Sequence, residues 1–168
     1  MSTPLNLCLL TISDSRTFAD DQTGNYLAQS IEARGHVLYQ RKIVADDKYQ
    51  IRALVAAWIA DPNVQAILCT GGTGFTGRDS TPEAILPLLD KQMPGFGELF
   101  RHLSFAQIGA STIQSRAFAG LANAVFVFCL PGSSGACQLA WQEIIQPQLN
   151  SETKPCNLAA LNKRLLER

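Results

Sequence analysis

The segment Val64–Lys91, VQAILCTGGTGFTGRDSTPEAILPLLDK, contains the pattern that decides the fold. Its first part, Val64–Thr70, is a short and mostly apolar run, which is typical of a strand buried on both faces of a sheet. A glycine-rich loop follows, and Pro82–Lys91 then has the composition of a short helix. Either Thr81 caps this helix with Pro82 at the first helical position, or Ser80 caps it with Glu83 three residues on. The segment therefore predicts a strand, a loop and a helix in succession.

The same alternation of strands and helices extends over most of the chain. Further strands are predicted at Leu5–Ile12, Val37–Val44 and Val125–Leu130. Further helices are predicted at Gly24–Arg34, Tyr49–Ala60, Glu98–Phe105 and Ala136–Gln146. Strands separated by helices form βαβ units, whose strands run parallel and whose helices cover the sheet. We therefore expect an α/β fold, a single three-layer α/β/α domain around a mostly parallel sheet.

The composition fits one globular domain of ordinary size. The chain has 168 residues, of which 46% are hydrophobic and 17% are charged, and its 14 basic and 14 acidic side chains cancel. This balance argues against nucleic acid and against a membrane surface as partners. The N-terminus has no recognisable signal peptide, so we expect a cytoplasmic protein. We place the domain at residues 1–150 and a C-terminal tail at residues 151–168.

Cysteine and histidine give little indication of a metal site or of acid–base catalysis. The five cysteines include no C-x-x-C pair, and Cys8, Cys69 and Cys129 lie inside apolar runs, where a free thiol behaves as a small buried hydrophobe. The two histidines, His36 and His102, are far apart in the sequence. No Ser-His-Asp or Cys-His arrangement is suggested. The class of reaction that remains is phosphoryl or nucleotidyl transfer, because positioning and charge stabilisation can supply most of its catalysis.

The predicted strands end in segments rich in glycine, serine, threonine and aspartate. These segments contain Ser13, Asp14 and Arg16; Asp46 and Asp47; Thr70, Gly71, Gly72, Thr73 and Gly74; and Pro131, Gly132 and Ser133. In open α/β sheets, ligands bind beyond the carboxyl ends of the strands. Because parallel strands end at the same edge, we expect all four segments to converge on one pocket. This convergence is stronger evidence for a site than any single loop.

The loop Thr70–Thr81, TGGTGFTGRDST, has the composition of a phosphate-binding loop. Glycines allow the backbone to approach an anion closely and to present its N–H groups. Arg78 can add a cationic donor. The alternative is a tight strand-to-helix turn that needs glycine only for its geometry.

Two better-known loop patterns fit this segment poorly. Gly72, Gly74 and Gly77 have the spacing of the G-x-G-x-x-G fingerprint of dinucleotide-binding domains. In that fingerprint the third glycine lies inside the helix, whereas here the predicted helix begins only at Pro82. The phosphate-loop pattern of nucleotide triphosphatases also fails, because Arg78 and Asp79 stand where it needs Lys and Ser or Thr.

Asp46 and Asp79 are the candidate catalytic and metal-binding residues. A carboxylate beside a phosphate-binding loop repels phosphate unless a cation lies between them. Mg²⁺ typically takes one or two carboxylates together with substrate phosphates. The alternatives are structural, since Asp46 or Asp47 could cap the following helix and Asp79 could form a salt bridge with Arg78.

Ser115 and Arg116, within the segment STIQSRAFAG, are a further candidate for phosphate binding. Arginine binds phosphate in a bidentate fashion, and a neighbouring hydroxyl adds a donor. The alternative for Arg116 is a surface ion pair.

These segments together resemble the MoaB/MogA family of molybdenum cofactor biosynthesis. The matching residues are Ser13–Arg16, Asp21–Gly24, Val44–Asp47, TGGTGFTGRDSTPEA at Thr70–Ala84, PGFGELFRHLSF at Pro94–Phe105, QSRAFAG at Gln114–Gly120, LPGSSGA at Leu130–Ala136, and Lys154–Asn157. The resemblance covers almost the whole chain. The segment Asp21–Asn25 differs from the form typical of the MogA branch, which places the chain on the MoaB side.

The resemblance implies a molybdopterin-binding α/β fold that forms a trimer, or a hexamer built from two trimers. It implies molybdopterin adenylyltransferase activity: the terminal phosphate of the pterin attacks the α-phosphate of Mg-ATP and releases pyrophosphate. A MoeA-like partner would then insert molybdate. The alternative within the same pathway is a molybdopterin carrier without catalysis. A nucleotide-binding redox domain is a third possibility, which rests only on the glycine spacing.

By position, the resemblance also assigns roles to individual residues. Asp46 and Asp79 match the acidic pair needed for turnover of Mg-ATP. Gly71, Gly72, Thr73 and Gly74 match the phosphate cradle, while Ser115, Arg116 and Pro131–Ser133 match the rim that holds pterin and nucleotide.

Overall fold

The computed structural model describes residues 3–165 and 167, and its centre is a six-stranded sheet. The strands are β1 (Asn6–Ile12), β2 (Val37–Val44), β3 (Ala66–Thr70), β4 (Lys91–Gln92), β5 (Phe118–Ala122) and β6 (Val125–Leu130). Their order in the sheet is β2-β1-β3-β6-β5-β4. β2, β1, β3 and β6 are parallel, and β5 and β4 extend the sheet in antiparallel fashion. The predicted α/β fold with a mostly parallel sheet is confirmed.

In the residues that the structure describes, six α-helices connect or flank these strands. They are α1 (Gln22–Ala33), α2 (Lys48–Ala60), α3 (Thr81–Ile85), α4 (Pro94–Ile108), α5 (Ser134–Ala140) and α6 (Gln146–Leu149). Short 3-10 segments lie at Leu86–Leu88, Gly109–Gln114 and Ala159–Arg164, and a π-helical turn at Trp141–Ile145 joins α5 to α6. None of the helices in the described part of the chain is long and apolar enough to cross a membrane.

Alternate residues of the central strands face two separate hydrophobic clusters, one on each side of the sheet. In β1, Leu7 and Leu9 face the cluster that includes α1, α4 and α5, whereas Cys8 and Leu10 face the one that includes α2 and α3. β3 and β6 divide in the same way. Because successive side chains of a strand point to opposite faces, a run that is apolar throughout can serve both layers. Cys8, Cys69 and Cys129 are buried in the second cluster as free thiols, as predicted.

The predicted helix Pro82–Lys91 is wrong in its second half. α3 ends at Ile85, and the chain then forms a 3-10 turn and reaches the edge strand β4 at Lys91. Pro87 explains this early end, because proline has no backbone N–H to donate within a helix.

The hairpin of β5 and β6 was not predicted. Its turn consists of Asn123 and Ala124, which both have positive φ, 46° and 64°. Two-residue hairpins usually have this geometry with glycine at one position, and an alanine there conceals the turn in the sequence.

Beyond Leu149 the chain returns to the body of the protein. Leu158, Ala159 and Leu165 pack against the cluster on the α1 side. The buried Asn157 side chain donates hydrogen bonds to the carbonyls of Ser151 and Thr153. These contacts hold the described part of residues 151–168 against the residues before it.

Candidate functional site

A cavity of about 540 Å³ lies at the carboxyl ends of β1, β3 and β6. Its lining consists of Ile12, Ser13, Ser15, Arg16, Gly71, Gly72, Thr73, Gly74, Asp79, Gln114, Ser115, Pro131 and Gly132. Parallel strands bring three of the predicted segments to this edge, and the residues before β5 close the rim. The predicted convergence is confirmed for three of the four segments, whereas Asp46 and Asp47 after β2 do not line the cavity. The segment after β2 is linked to it through Asp46.

Glycines form the floor of the cavity because no side chain fits there. Gly71 and Gly72 have positive φ, 107° and 64°. A Cβ atom on Gly71 would collide with the carbonyl oxygen of Ile12, and one on Gly72 would lie 2.6 Å from Oδ2 of Asp46. The bare backbone thus allows a ligand and a neighbouring carboxylate to approach from the two sides of the loop.

Arg16 is the arginine that faces this cavity. Its Nη2 donates to the carbonyl of Gly132 at 3.3 Å, and its Nη1 lies 3.6 Å from Oδ1 of Asp21. About a third of the side chain is exposed, which leaves part of the guanidinium open to an anion. Ser13 supports the turn before it, since its hydroxyl accepts hydrogen bonds from the amides of Ser15 and Arg16.

Asp21 is a buried carboxylate behind Arg16 that was absent from the predicted site residues. It is fully buried and accepts hydrogen bonds from the Thr11 hydroxyl, the Gly24 amide and the Arg41 guanidinium. Burial raises its pKa, but these hydrogen bonds and the charge of Arg41 outweigh that effect and lower it. The sequence signal that could have identified Asp21 is its position directly before α1, because aspartate is a typical N-cap residue.

Asp46 lies on the other side of the glycine loop from the cavity. Its Oδ1 accepts hydrogen bonds from the Ser80 amide at 3.1 Å and from the Ser80 hydroxyl at 2.6 Å. Within the described residues, Oδ2 accepts no hydrogen bond, and it faces Gly72. The alternative that Asp46 caps α2 is wrong, because Asp47 does so by accepting from the amides of Tyr49 and Gln50.

Asp79 lines the cavity directly. Its Oδ2 accepts from the amide of Thr76 at 2.8 Å and from the Thr76 hydroxyl at 2.6 Å, and a Cβ on Gly74 would lie 2.7 Å from the same oxygen. Partial burial raises the pKa of Asp79, but the hydrogen bonds from Thr76 and Gly74 outweigh it and hold the pKa below its ordinary value. Asp79 is therefore a carboxylate at neutral pH.

The alternative that Asp79 pairs with Arg78 is wrong. Arg78 turns away and donates from Nε to Oδ2 of Asp14 at 2.8 Å, and most of its side chain is exposed. Oδ1 of Asp14 accepts from the Asp46 amide. This amide and the Arg78 side chain lower the pKa of Asp14. Asp14 and Arg78 thus form an ion pair outside the cavity lining, which links the segments after β1 and β3.

Ser115 and Arg116, adjacent in sequence, have different positions. Ser115 lines the cavity, whereas Arg116 lies behind the loop and outside the lining. Arg116 donates from Nε to the carbonyl of Gly74 at 2.8 Å and from Nη2 to the carbonyl of Asp79 at 3.1 Å. Its Nη1 pairs with Glu83, as the surface ion-pair alternative expected. Arg116 therefore braces the loop that carries Asp79.

Two other predicted residues also lie outside the cavity lining. Thr70 is buried, and its hydroxyl donates to the carbonyl of Pro131 at 2.9 Å. This bond ties the ends of β3 and β6 together. Ser133 is exposed and precedes α5, whose Cys137 amide donates to the Ser133 carbonyl.

Three lining residues were absent from the predicted site residues: Ile12, Ser15 and Gln114. Ser15 lies between two predicted residues, and Gln114 directly precedes Ser115. Their place on the rim follows from the fold, because a side chain's direction in a loop is not visible in the sequence.

The donors available at this edge suit a hard cation shared with a ligand. No group of three or more His, Cys, Asp or Glu side chains that could hold a metal was found among the described residues. Asp46 and Asp79 instead offer two carboxylates against neighbouring glycines of one loop, which is a donor set that Mg²⁺ uses when phosphates complete its shell. Carboxylate oxygens of this kind are ones that Mg²⁺ takes together with phosphate.

Comparison with known proteins identifies the family. The family described as "Probable molybdopterin binding domain" matches residues 8–151. Molybdenum cofactor biosynthesis protein B of Escherichia coli strain K12 is 51% identical over 154 residues, which cover 92% of this chain and 91% of that protein.

Solved structures of proteins from the same family are also similar to this chain. A crystal structure of molybdenum cofactor biosynthesis protein B is similar with a TM-score of 0.86 and 42% identity, over 89% of this chain and 93% of that chain. The tungsten cofactor synthesizing protein MoaB from Pyrococcus furiosus is similar with a TM-score of 0.75 and 33% identity, over 87% and 93% of the two chains. The chain therefore belongs to the MoaB/MogA family of molybdenum cofactor biosynthesis proteins, with its molybdopterin-binding domain.

Proposed function

We propose that this protein binds molybdopterin in the cavity at the carboxyl ends of β1, β3 and β6 and adenylylates it with Mg-ATP. The observation that carries the proposal is the pair of carboxylates, Asp46 and Asp79, which lie against Gly72 and Gly74 of the loop that forms the cavity floor. A site that only held an anionic pterin would gain nothing from two carboxylates, since they repel its phosphate. They become useful when a cation and a second phosphate ligand bind with the pterin.

The proposed reaction transfers an adenylyl group. An oxygen of the terminal phosphate of molybdopterin forms a bond to the α-phosphorus of ATP. The bond between that phosphorus and the oxygen bridging to the β-phosphorus breaks, and its electron pair leaves with pyrophosphate. The products are adenylyl-molybdopterin and pyrophosphate.

The residues of the site act in this reaction by position and charge. Arg16 and the amides of the glycine loop bind and orient the attacking phosphate. Asp46 and Asp79 would hold Mg²⁺, which supplies charge neutralisation at the phosphates when it is bound. The two histidines lie elsewhere: His36 is buried at the start of β2, and His102 is on the surface of α4. Orientation and electrostatic stabilisation are therefore the available sources of catalysis.

The test is an adenylylation assay with purified protein, molybdopterin and Mg-ATP, in which pyrophosphate and the AMP adduct are measured. We expect Asp79→Asn to lower turnover by about 10²-fold or more, because the amide cannot hold the cation. The dissociation constant for molybdopterin should change little. Asp47→Asn is the matched control, since asparagine also caps a helix and Asp47 lies next to Asp46.

Each outcome of the assay has a definite meaning. Product that is lost in Asp79→Asn and retained in Asp47→Asn supports an adenylyltransferase. Tight molybdopterin binding without product in the wild-type protein would make it a carrier in the same pathway. If Asp79→Asn weakened molybdopterin binding as much as it slowed turnover, the role assigned to Asp79 would be wrong.

A further inference from the structure

Two arginines share one buried carboxylate beside the cavity at the carboxyl ends of β1, β3 and β6. Nη2 of Arg41 lies 3.0 Å from Oδ2 of Asp21, and Nη1 of Arg16 lies 3.6 Å from Oδ1 of the same side chain. We call these three residues the charge triad. Arg16 lines the cavity, whereas Asp21 and Arg41 lie outside its lining. Because the triad has two cations and one anion, one positive charge remains unbalanced.

Asp21 makes its closest contacts with groups other than Arg16. Its Oδ2 accepts hydrogen bonds from the Thr11 hydroxyl at 2.7 Å and from Arg41 at 3.0 Å, and its Oδ1 accepts one from the Gly24 amide at 2.9 Å. The distance of 3.6 Å between Arg16 and Oδ1 is longer than a hydrogen bond. Arg41 is therefore the main cationic partner of Asp21, and the guanidinium of Arg16 stays partly uncommitted.

Arg41 is held in this position by the first turn of α1 and by the loop before it. Its Nη1 donates to Oδ1 of Asn25 at 2.8 Å, and its guanidinium carbon lies 5.2 Å from the centroid of the Phe18 ring. A Cβ on Gly24 would collide with the carboxylate of Asp21 and would lie 2.8 Å from Nη2 of Arg41. The glycine at this position therefore leaves room for the ion pair against the helix.

The position of Arg41 costs stability, and hydrogen bonding alone does not explain it. Within the part of the chain that the structure describes, Nε of Arg41 is buried and has no hydrogen-bond partner, which destabilises a fold. Thr11 and Gly24 already donate to both oxygens of Asp21, so this buried carboxylate needs Arg41 as a cation more than as a further donor. Among the described residues its ion pairs are with Arg41 and Arg16, so Arg16 is the cation that would remain without Arg41.

We propose that Arg41 is a positioning residue that sets the affinity of the cavity for anions from outside it. Arg41 neutralises Asp21 and so leaves the charge of Arg16 available to the phosphate of the ligand. Without Arg41, the buried carboxylate would draw Arg16 toward itself, and the remaining pair would have no net charge. The inference rests on the proposed binding of molybdopterin in this cavity and adds to it a residue that the ligand does not touch.

The test measures the dissociation constant for molybdopterin by calorimetry, with the full chain. Arg41→Gln removes the charge, and we expect it to weaken binding by about tenfold, because Arg16 then contacts Asp21 instead of the phosphate. Arg41→Lys keeps a cation beside Asp21 and should stay within about threefold of the wild-type protein. Lys42→Gln is the matched control, since Lys42 is the next residue of β2, is exposed and points to the opposite face of the sheet. It makes the same change in net charge and should alter the affinity by less than about twofold.

Two double variants test whether the effect passes through Asp21 and Arg16. Arg41→Gln combined with Asp21→Asn removes both charges behind Arg16, and asparagine can still cap α1. We expect this double variant to bind within about threefold of the wild-type protein, because no carboxylate then draws Arg16 out of the cavity. It also provides the measurement if Arg41→Gln alone does not fold. In an Arg16→Gln background, adding Arg41→Gln should weaken binding by less than about a further twofold.

Failure of this inference and failure of the proposed function give different results. If Arg41→Gln binds molybdopterin as tightly as the wild-type protein, the inference is wrong, and adenylyl transfer stands if product still forms. A purely structural role would make Arg41→Lys as weak as Arg41→Gln, or would make the effects of Arg16→Gln and Arg41→Gln multiply, and either result would overturn the inference. A double variant with Asp21→Asn that does not regain affinity would overturn it as well. If the wild-type protein has no measurable affinity for molybdopterin, both proposals are wrong.

Discussion

At the scale of single residues, the glycines of the loop after β3 are not equivalent. Gly72 has φ of 64°, and a Cβ there would lie 2.6 Å from Oδ2 of Asp46. Gly77 has no atom within 4 Å of such a Cβ. Gly72 is therefore required by the backbone conformation and by the carboxylate beside it, whereas a side chain at Gly77 would extend into open space.

We expect Gly72→Ala to lower the free energy of unfolding by roughly 1–3 kcal/mol, because an L side chain is strained at this φ. The new methyl group should also displace Asp46 and abolish most of the turnover. Gly77→Ala is the control and should stay within about 0.5 kcal/mol of the wild-type protein. Urea unfolding and the adenylylation assay measure the two effects. Similar stabilities for the two variants would contradict the distinction.

At the scale of elements, the loop between β3 and α3 depends on a residue from the opposite end of the site. Arg116, just before β5, contacts the carbonyls of Gly74 and Asp79 with its side chain, and its own amide donates to the Thr73 carbonyl. These contacts fix both ends of the segment that carries Phe75 and Asp79. The antiparallel hairpin thus contributes to the site by holding a loop of the parallel part of the sheet.

Arg116→Lys should loosen this loop while it keeps the charge. A lysine has no planar fork and cannot reach both carbonyls, and a hydrogen bond to a charged group is worth about 1.5–3 kcal/mol. We expect amide hydrogen exchange in residues 74–79 to accelerate by about tenfold or more. Glu83→Gln removes only an exposed ion-pair partner and should accelerate it by less than about fivefold. Equal effects would show that the ion pair, and not the carbonyl contacts, holds the loop.

At the scale of the whole molecule, two buried titratable groups couple folding to pH. His36 is buried, and its Nδ1 accepts a hydrogen bond from the amide of Leu5 at 3.2 Å, so the fold requires a ring nitrogen without a proton. Burial lowers its pKa from the ordinary value of 6.5. Asp21 has a pKa lowered from 3.8, because its hydrogen bonds outweigh the effect of burial. Both groups therefore favour the folded state in their deprotonated forms.

The sign of the effect is the same for both groups, but the pH windows differ. The contribution of His36 is fully present above pH 6.5 and is lost as the pH falls through its lower folded pKa, whereas that of Asp21 is lost only below 3.8. We expect the free energy of unfolding to fall between about pH 7 and about pH 5 in the wild-type protein. His36→Asn, which keeps an acceptor without this titration, should have a flatter profile. The exposed His102→Asn is the control, and a wild-type slope in His36→Asn would contradict the assignment.

The sequence by itself determined the class of fold and the edge of the sheet where the site lies. The apolar runs at β1, β3 and β6 are long enough to be recognised as strands buried on both faces. The polar and glycine-rich segments after them had to meet, because parallel strands end at one edge. The burial of Cys8, Cys69 and Cys129 also followed from local pattern alone, and the cap of α2 was limited to Asp46 or Asp47.

Only the tertiary structure decided which of the charged side chains face the cavity. Arg16, Arg78 and Arg116 all occur in suitable sequence contexts, but Arg78 pairs with Asp14 and Arg116 with loop carbonyls up to 42 residues away. The partners of a long side chain are the groups that the fold brings near it, and the local sequence does not contain these groups. The hairpin of β5 and β6 was hidden for a related reason, since antiparallel pairing across an Asn-Ala turn depends on contacts that no local pattern records.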